Sequence, residues 1–140
     1  MSEEKKLRYD KAYLKMALDW GQLSHCDRKK VGAIIVKDGQ IISDGFNGTP
    51  SGHDNTCETE EYETKWTVIH AECNAILKCA KFGNGSDGAT MYQTYSPCKE
   101  CAKLILQSGI KRVVYNEDYK DLSGVEFLKE SGIQIERLDL

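Results

Sequence analysis

Ala89-Thr-Met-Tyr-Gln-Thr94, Cys98-Lys-Glu-Cys-Ala-Lys-Leu-Ile-Leu-Gln107 and Lys111-Arg-Val-Val-Tyr115 follow one another with short breaks between them. The outer two segments are short, with β-branched and aromatic residues, as strands are. The middle one spaces Ala102, Ile105 and Leu106 as one face of a helix, and Ser108-Gly109 supplies its stop. A strand, a helix and a strand in that order imply a right-handed crossover joining two parallel neighbours.

The alternation continues outward in both directions. Downstream, Ser123 to Glu130 reads as a helix closed by Ser131-Gly132, and Ile133 to Leu138 as a strand. Upstream, a helix runs from His70 to Lys81 and ends at Phe82-Gly-Asn-Gly85. Before it, Lys30 to Lys37 reads as a buried strand, Asp38-Gly39 as a two-residue hairpin, and Gln40 to Phe46 as the antiparallel return. Tyr13, Leu14, Ala17 and Leu18 place an amphipathic helix over Tyr9 to Leu23. The order α-β-β-α-β-α-β-α-β predicts an α/β fold. We expect a three-layer α/β/α sandwich around a five-stranded mixed sheet, mostly parallel and covered on both faces. Asn47 to Lys65 is the one long irregular stretch, and such a loop inside a compact chain is usually functional or mobile.

At 140 residues, with no repeat or linker, the chain reads as one domain over residues 1–140. Its formal net charge of -3 does not encourage binding to a polynucleotide backbone, which calls for a basic face. A small anionic substrate needs only a few local cations. No apolar run approaches a membrane span, and Met1-Ser-Glu-Glu-Lys-Lys6 lacks a signal-type apolar segment. The six cysteines are therefore expected in a reducing compartment, bound to metal or simply buried rather than paired. The expected location is cytoplasmic, meaning the host's cytoplasm for a viral chain.

The chemistry concentrates in His70-Ala-Glu72 and Pro97-Cys-Lys-Glu-Cys101. One imidazole and two thiolates are three zinc ligands, and a catalytic zinc keeps its fourth position for water. H-x-E followed by P-C-x-x-C is the pattern of zinc nucleobase deaminases. Both half-motifs fall at helix starts, where the macrodipole favours a thiolate. Cys98 and Cys101, three apart, are expected to share a helical face, and Pro97 suits a first helical turn. Zinc acidifies water, and the nucleophile so formed attacks an electron-poor ring carbon bearing an amine. Glu72 is placed to take the water's proton, pass it to the ring nitrogen, and protonate the departing ammonia. A closed structural zinc would need a fourth ligand, for which Cys26, Cys57, His25 and His53 are available. An open site fits the two motifs better.

Gly45-Phe-Asn-Gly-Thr-Pro-Ser-Gly52 is the second feature. It is a turn by composition, yet glycines leaving a strand also let backbone approach a ligand. Asn47 can donate and accept together, as a sugar hydroxyl or base edge demands.

With these motifs in view, the chain resembles the deoxycytidylate (dCMP) deaminases of the cytidine deaminase-like superfamily. The likeness lies in Val31-Gly-Ala33, Gly45-Phe-Asn-Gly-Thr-Pro50, His70-Ala-Glu-Cys-Asn-Ala-Ile76, Ser96-Pro-Cys-Lys-Glu-Cys-Ala-Lys-Leu-Ile105 and Gly109-Ile-Lys-Arg-Val-Val114, covering the chain from about Tyr9 onward. The resemblance implies Zn²⁺ on His70, Cys98 and Cys101, Glu72 as proton carrier, and Asn47 on the nucleotide. It implies conversion of dCMP to dUMP and ammonia, feeding thymidylate synthesis. It also implies a homo-oligomer, often a hexamer, activated by dCTP and inhibited by dTTP, with Mg²⁺ on the effector triphosphate. Arg28 resembles an effector-site position, while Tyr119 and Lys120 resemble residues that gate the pocket and meet the substrate phosphate. The family sometimes carries a second, structural zinc, for which Cys26 and Cys57 with His25 or His53 are suitable types. Cys73 and Cys79 read as core residues of the helix opened by His70.

Two other readings stay open on sequence: a tRNA or polynucleotide deaminase of the same fold, and a non-catalytic zinc module that senses deoxynucleotides. The acidic balance and the Asn47 turn weigh against the first. Glu72 weighs against the second, because a structural zinc needs no such carboxylate.

Overall fold

The computed structural model describes all of residues 1–140. Its elements are α1 (Glu3–Gly21), β1 (Gly32–Lys37), β2 (Gln40–Phe46), α2 (Ala71–Phe82), β3 (Thr90–Tyr95), α3 (Lys99–Gln107), β4 (Arg112–Glu117), α4 (Ser123–Glu130) and β5 (Gln134–Arg137). The order matches the sequence reading, and β2 and α4 match it to the residue. Helix α1 starts six residues before the expected Tyr9. Ser2 caps it by accepting the Lys5 N–H at 3.1 Å, and Glu3 and Glu4 sit in its first turn, where negative charge is favoured.

The five strands form one sheet in the order β2-β1-β3-β4-β5. Pairings β2–β1 and β1–β3 are antiparallel, and β3–β4 and β4–β5 are parallel. The expectation of a mostly parallel sheet is thus corrected for the pairings, half of which are antiparallel. The cause is local. Asp38 (φ 51°) and Gly39 (φ 74°) make a tight hairpin of the left-handed kind, reversing the chain in two residues. The chain then returns through α2 to place β3 beside β1, so β1 alone runs against the other four strands.

Side-chain alternation divides the core into two layers. Ile34, Val36, Tyr92 and Val114 meet Leu14 and Ala17 of α1 on one face. Ala33, Ile35, Met91 and Val113 meet Ala71, Ala75 and Cys79 of α2, Ala102 and Ile105 of α3, and Leu128 of α4 on the other. The result is a three-layer α/β/α sandwich with one helix against three. Full burial of Leu14, Ile35, Ile105 and Leu128 contributes roughly 1.5–3 kcal/mol each.

The α1 layer also buries charge. Asp10 of α1 accepts from Arg112 of β4 at 2.9 and 2.6 Å and from the Tyr92 hydroxyl at 2.7 Å, while Arg112 also donates to Glu136 of β5. Burial pushes the Asp10 carboxyl up, but the hydrogen bonds from Arg112 and Tyr92 and the Arg112 charge outweigh it and hold the group below its usual range. The bond across 102 residues ties the first helix to the far half of the sheet.

Because β1 alone is reversed, its first residues lie at the same edge as the last residues of β2, β3 and β4; Gly32 pairs with Phe46, and Tyr95 with Glu117. The chain segments leaving that edge carry Asn47, Pro97-Cys98 and Tyr119. Crevices outside the carboxyl ends of strands are where open α/β sheets bind ligands.

Candidate active site

His70 and Cys98 hold equivalent positions, each the N-cap of a helix packed on the same sheet face. His70 (φ -67°, ψ 153°) precedes α2, and Cys98 (φ -70°, ψ 167°) precedes α3. Extended backbone at an N-cap turns the side chain across the helix end. Cys101 lies in the first turn of α3 and donates its N–H to Cys98 Sγ at 3.5 Å. The two sulfurs therefore converge because Cys98 caps the helix, which corrects the expectation that they share a helical face. Pro97 correspondingly lies one residue before the cap rather than in the first turn.

The His70 Nδ1 atom stands 3.5 Å from Cys98 Sγ and 3.3 Å from Cys101 Sγ. A tetrahedral zinc with ordinary Zn–S and Zn–N bonds would separate a nitrogen and a sulfur by about 3.6 Å. One nitrogen and two sulfurs, all within 4.8 Å of one another, therefore fit Zn²⁺, and Nδ1 is the His70 nitrogen that faces the two sulfurs. The Cys98 thiol is brought down to about 4 by the Cys101 thiol, with further hydrogen bonds from His70 and the Cys101 N–H, against the cost of burial. The Cys101 thiol is pushed up by its bond to Cys98 and by burial, and His70 is raised chiefly by its own hydrogen bond to Cys98.

Glu72, in the first turn of α2, is 5% exposed, and burial pushes its carboxyl above the usual range. It is placed there by a close approach of helix to sheet. A Cβ on Gly45 of β2 would come within 2.5 Å of the Ala71 carbonyl oxygen and 2.7 Å of the Ala75 nitrogen, so only glycine lets α2 seat this low. A second close approach frames the thiols. A Cβ on Gly124, at the start of α4, would overlap the Pro97 and Cys98 carbonyl oxygens. Below Glu72, the Gln93 amide of β3 donates to Glu72 Oε2 at 3.1 Å.

A cavity lies over this triad. His70, Glu72 and Cys98 line it, and so do Asn47, Arg28, Tyr119 and Lys120. All four residues singled out from sequence for substrate or effector thus border the same space. Asn47 is partly committed: Oδ1 accepts the Val31 N–H and Nδ2 donates to the Lys29 carbonyl, both at 2.9 Å. One donor hydrogen and one acceptor lone pair are left for a ligand. Tyr119 is fixed through its N–H, which donates to Ser96 Oγ at 2.7 Å.

Sequence reasoning passed over Lys29, Tyr95 and Glu58, which also line the cavity. The Lys29 ammonium stands 4.2 Å from the Tyr95 ring centre and 5.0 Å from that of Tyr119. The basic run Arg28-Lys29-Lys30 was its signal. Glu58 accepts the Asp27 and Arg28 N–H groups at 3.1 and 3.2 Å and so shapes the loop before β1; nothing in its sequence surroundings marks it.

Cys26 and Cys57 are joined by a disulfide. This corrects the expectation of unpaired thiols and departs from a second zinc on these residues with His25 or His53. The acidic group grouped with the pair is Glu58, and neither histidine is part of the cluster. The bond pins the long irregular loop to the segment before β1, with a Cα separation of 5.1 Å inside the normal range. Its partners are 31 residues apart, and no spacing rule links them. No helix is long and apolar enough to cross a membrane.

Residues 7–117 match the family described as the cytidine and deoxycytidylate deaminase zinc-binding region. The chain is 43% identical to ComE operon protein 2 of Bacillus subtilis, over 84% of this chain and 64% of that protein. It is 37% identical to the deoxycytidylate deaminase of Enterobacteria phage T4, over 87% of this chain and 86% of that one. Among solved structures, the dCMP deaminase of cyanophage S-TIM5, crystallised with dCMP and dUMP, superposes with a TM-score of 0.91 at 44% identity, covering 99% of both chains. Motif, geometry and these likenesses agree: the chain belongs to the cytidine and deoxycytidylate deaminase family.

Proposed function

We propose that this chain, as a single domain over residues 1–140, catalyses hydrolytic deamination of dCMP to dUMP and ammonia. The observation that carries this reading is the buried Glu72 carboxyl beside a His70–Cys98–Cys101 ligand set, at the floor of a cavity with cations on its wall. The cyanophage relative crystallised with dCMP and dUMP supports the choice of nucleotide.

When bound by His70 Nδ1 and the Cys98 and Cys101 sulfurs, Zn²⁺ supplies a Lewis acid that yields a nucleophile from water near neutral pH. Glu72 accepts the proton given up by that water and delivers it to N3 of the cytosine ring. Addition at C4 then leaves a tetrahedral carbon bearing both oxygen and amine. Glu72 carries the second proton to the amine nitrogen, and the C4–N4 bond breaks to release ammonia. Burial suits Glu72 to this work, since a carboxyl whose affinity for protons is raised both takes and holds one more readily. Asn47 offers its remaining donor and acceptor to the sugar or base. Lys29, Lys120 and Arg28 are the cations available to a 5′-phosphate, and Tyr119 with Tyr95 forms an aromatic wall beside them.

The finer reading includes dUMP supply for thymidylate synthesis, a cytoplasmic location, a hexamer, and activation by dCTP against inhibition by dTTP with Mg²⁺ on the triphosphate. Arg28 is the residue assigned to the effector. The test is ammonia release from cytidine, CMP, dCMP and dCTP, each with and without dCTP or dTTP plus Mg²⁺. Turnover of dCMP above the others supports the reading. Turnover of cytidine alone, or tight binding to RNA or single-stranded DNA in a gel shift at physiological salt, overturns it.

A further inference from the structure

Gln93 occupies the middle strand of the sheet, on a face otherwise given to Ala33, Ile35, Met91 and Val113, and is fully buried. Its amide hydrogens are both spent. One goes to Glu72 Oε2 at 3.1 Å and the other to the Tyr95 carbonyl at 2.7 Å. Those two acceptors fix the orientation of the amide, because a flip would set its oxygen against both of them. The Gln93 carbonyl oxygen is then left buried with no partner.

That orphan is informative. A buried, unsatisfied carbonyl is destabilising, and an apolar side chain of the same length would avoid that cost. Packing alone therefore gives no reason for an amide at this position, and the benefit has to be sought in what it touches. Gln93 is the one side chain hydrogen-bonded to Glu72. Its neighbours leave space for the bond. Across β1 and β2, Ala33 and Gly45 continue the row of Gln93, and their small size lets the first turn of α2 descend until Glu72 meets the amide.

We propose that Gln93 is a positioning residue that locks the Glu72 carboxylate. It holds Oε2 through its Nε2, is itself held by the Tyr95 carbonyl, and leaves Glu72 Oε1 as the working oxygen. The proposal rests on the reading of Glu72 as the proton carrier. A carboxylate that must meet water, ring nitrogen and leaving amine in turn has to keep one orientation throughout, and a misplacement of about 1 Å can cost about 100-fold in rate. Thr94, Tyr95 and Ser96 follow Gln93 and lead into Pro97-Cys98, so the same strand end that aims Glu72 also delivers a metal ligand.

The experiment compares wild type, Gln93→Met, Gln93→Leu, Glu72→Gln and Glu72→Gln/Gln93→Met for zinc content, thermal midpoint, kcat and KM with dCMP. Gln93→Met keeps length and volume and removes the N–H donors. We expect it to keep zinc and a midpoint equal to or above wild type, with KM within about threefold and kcat down about 10–100-fold. In the Glu72→Gln background the same change should leave the residual rate unaltered, since both act through one carboxylate. Gln93→Leu gives the same readings should the methionine variant pack poorly. An unchanged kcat in a folded, zinc-loaded variant overturns the proposal. So does a loss carried wholly by KM, or one matched by falling zinc content and midpoint. A wild type inactive on dCMP, or an active Glu72→Gln, overturns the underlying reading of Glu72 and the proposal with it. Wild-type activity with an inactive Glu72→Gln and a normal Gln93→Met overturns only the role of Gln93.

Discussion

His70 Nδ1 and Cys98 Sγ, 28 residues apart in the chain, come within 3.5 Å because each caps a helix seated on the same face of the sheet. The ligand set is therefore made of helix ends, and its geometry depends on how deeply α2 and α3 sit. We expect about one zinc per chain in wild type by elemental analysis, and little or none in Cys98→Ser, Cys101→Ser or His70→Ala. Zinc retained at wild-type level in Cys98→Ser would point to a different ligand.

Two glycines set that depth, so enlarging them should loosen the site without touching a ligand. Gly124→Ala forces α4 away from the Cys98 carbonyl, and Gly45→Ala lifts the first turn of α2. Each should cost about 1–3 kcal/mol of stability and weaken zinc retention against a chelator. Chelator titration beside thermal unfolding checks this. Wild-type retention in both variants would mean that the close approaches do not position the ligands.

These glycines also show what sequence could and could not disclose. The zinc motifs, their place at helix starts and the order of nine elements were legible, because capping chemistry and apolar periodicity are local. Gly45 and Gly124 read as a turn residue and a helix residue; only tertiary contact reveals what a Cβ would strike. Gln93 looked like any polar residue in a strand until α2 was laid over it. The Cys26–Cys57 bond joins segments that composition placed in a reducing compartment. The reversed direction of β1 was implicit in the Asp38-Gly39 hairpin, yet which strand would lie beside β1 was not.

The Asp10–Arg112 pair should govern acid stability. Its folded carboxyl titrates below the ordinary value of 3.8. Its contribution is therefore fully present above about pH 4 and is lost as pH falls through the folded value. Asp10→Ala, which leaves the buried Arg112 with only the half-exposed Glu136 as a carboxylate partner, should cost about 1.5–3 kcal/mol near neutral pH and flatten the acid limb of the stability curve. Denaturant unfolding across that range checks it. An acid limb as steep in Asp10→Ala as in wild type would place its origin elsewhere.

Lys29 and Lys120 should discriminate nucleotide from nucleoside. Lys29→Ala and Lys120→Ala are each expected to raise KM for dCMP about 10–100-fold, the worth of a charge-assisted hydrogen bond. KM for deoxycytidine should barely move. Equal losses on both substrates would assign these lysines to the base or to the fold rather than to the phosphate.

Glu72→Gln tests the mechanism most directly, with ammonia release from dCMP and zinc content measured on the same preparation. Glutamine keeps the size of the side chain and removes its capacity to carry a proton. The expected result is full zinc with turnover reduced about 10²–10⁴-fold. A zinc-loaded Glu72→Gln that releases ammonia at the wild-type rate would contradict proton carriage by Glu72.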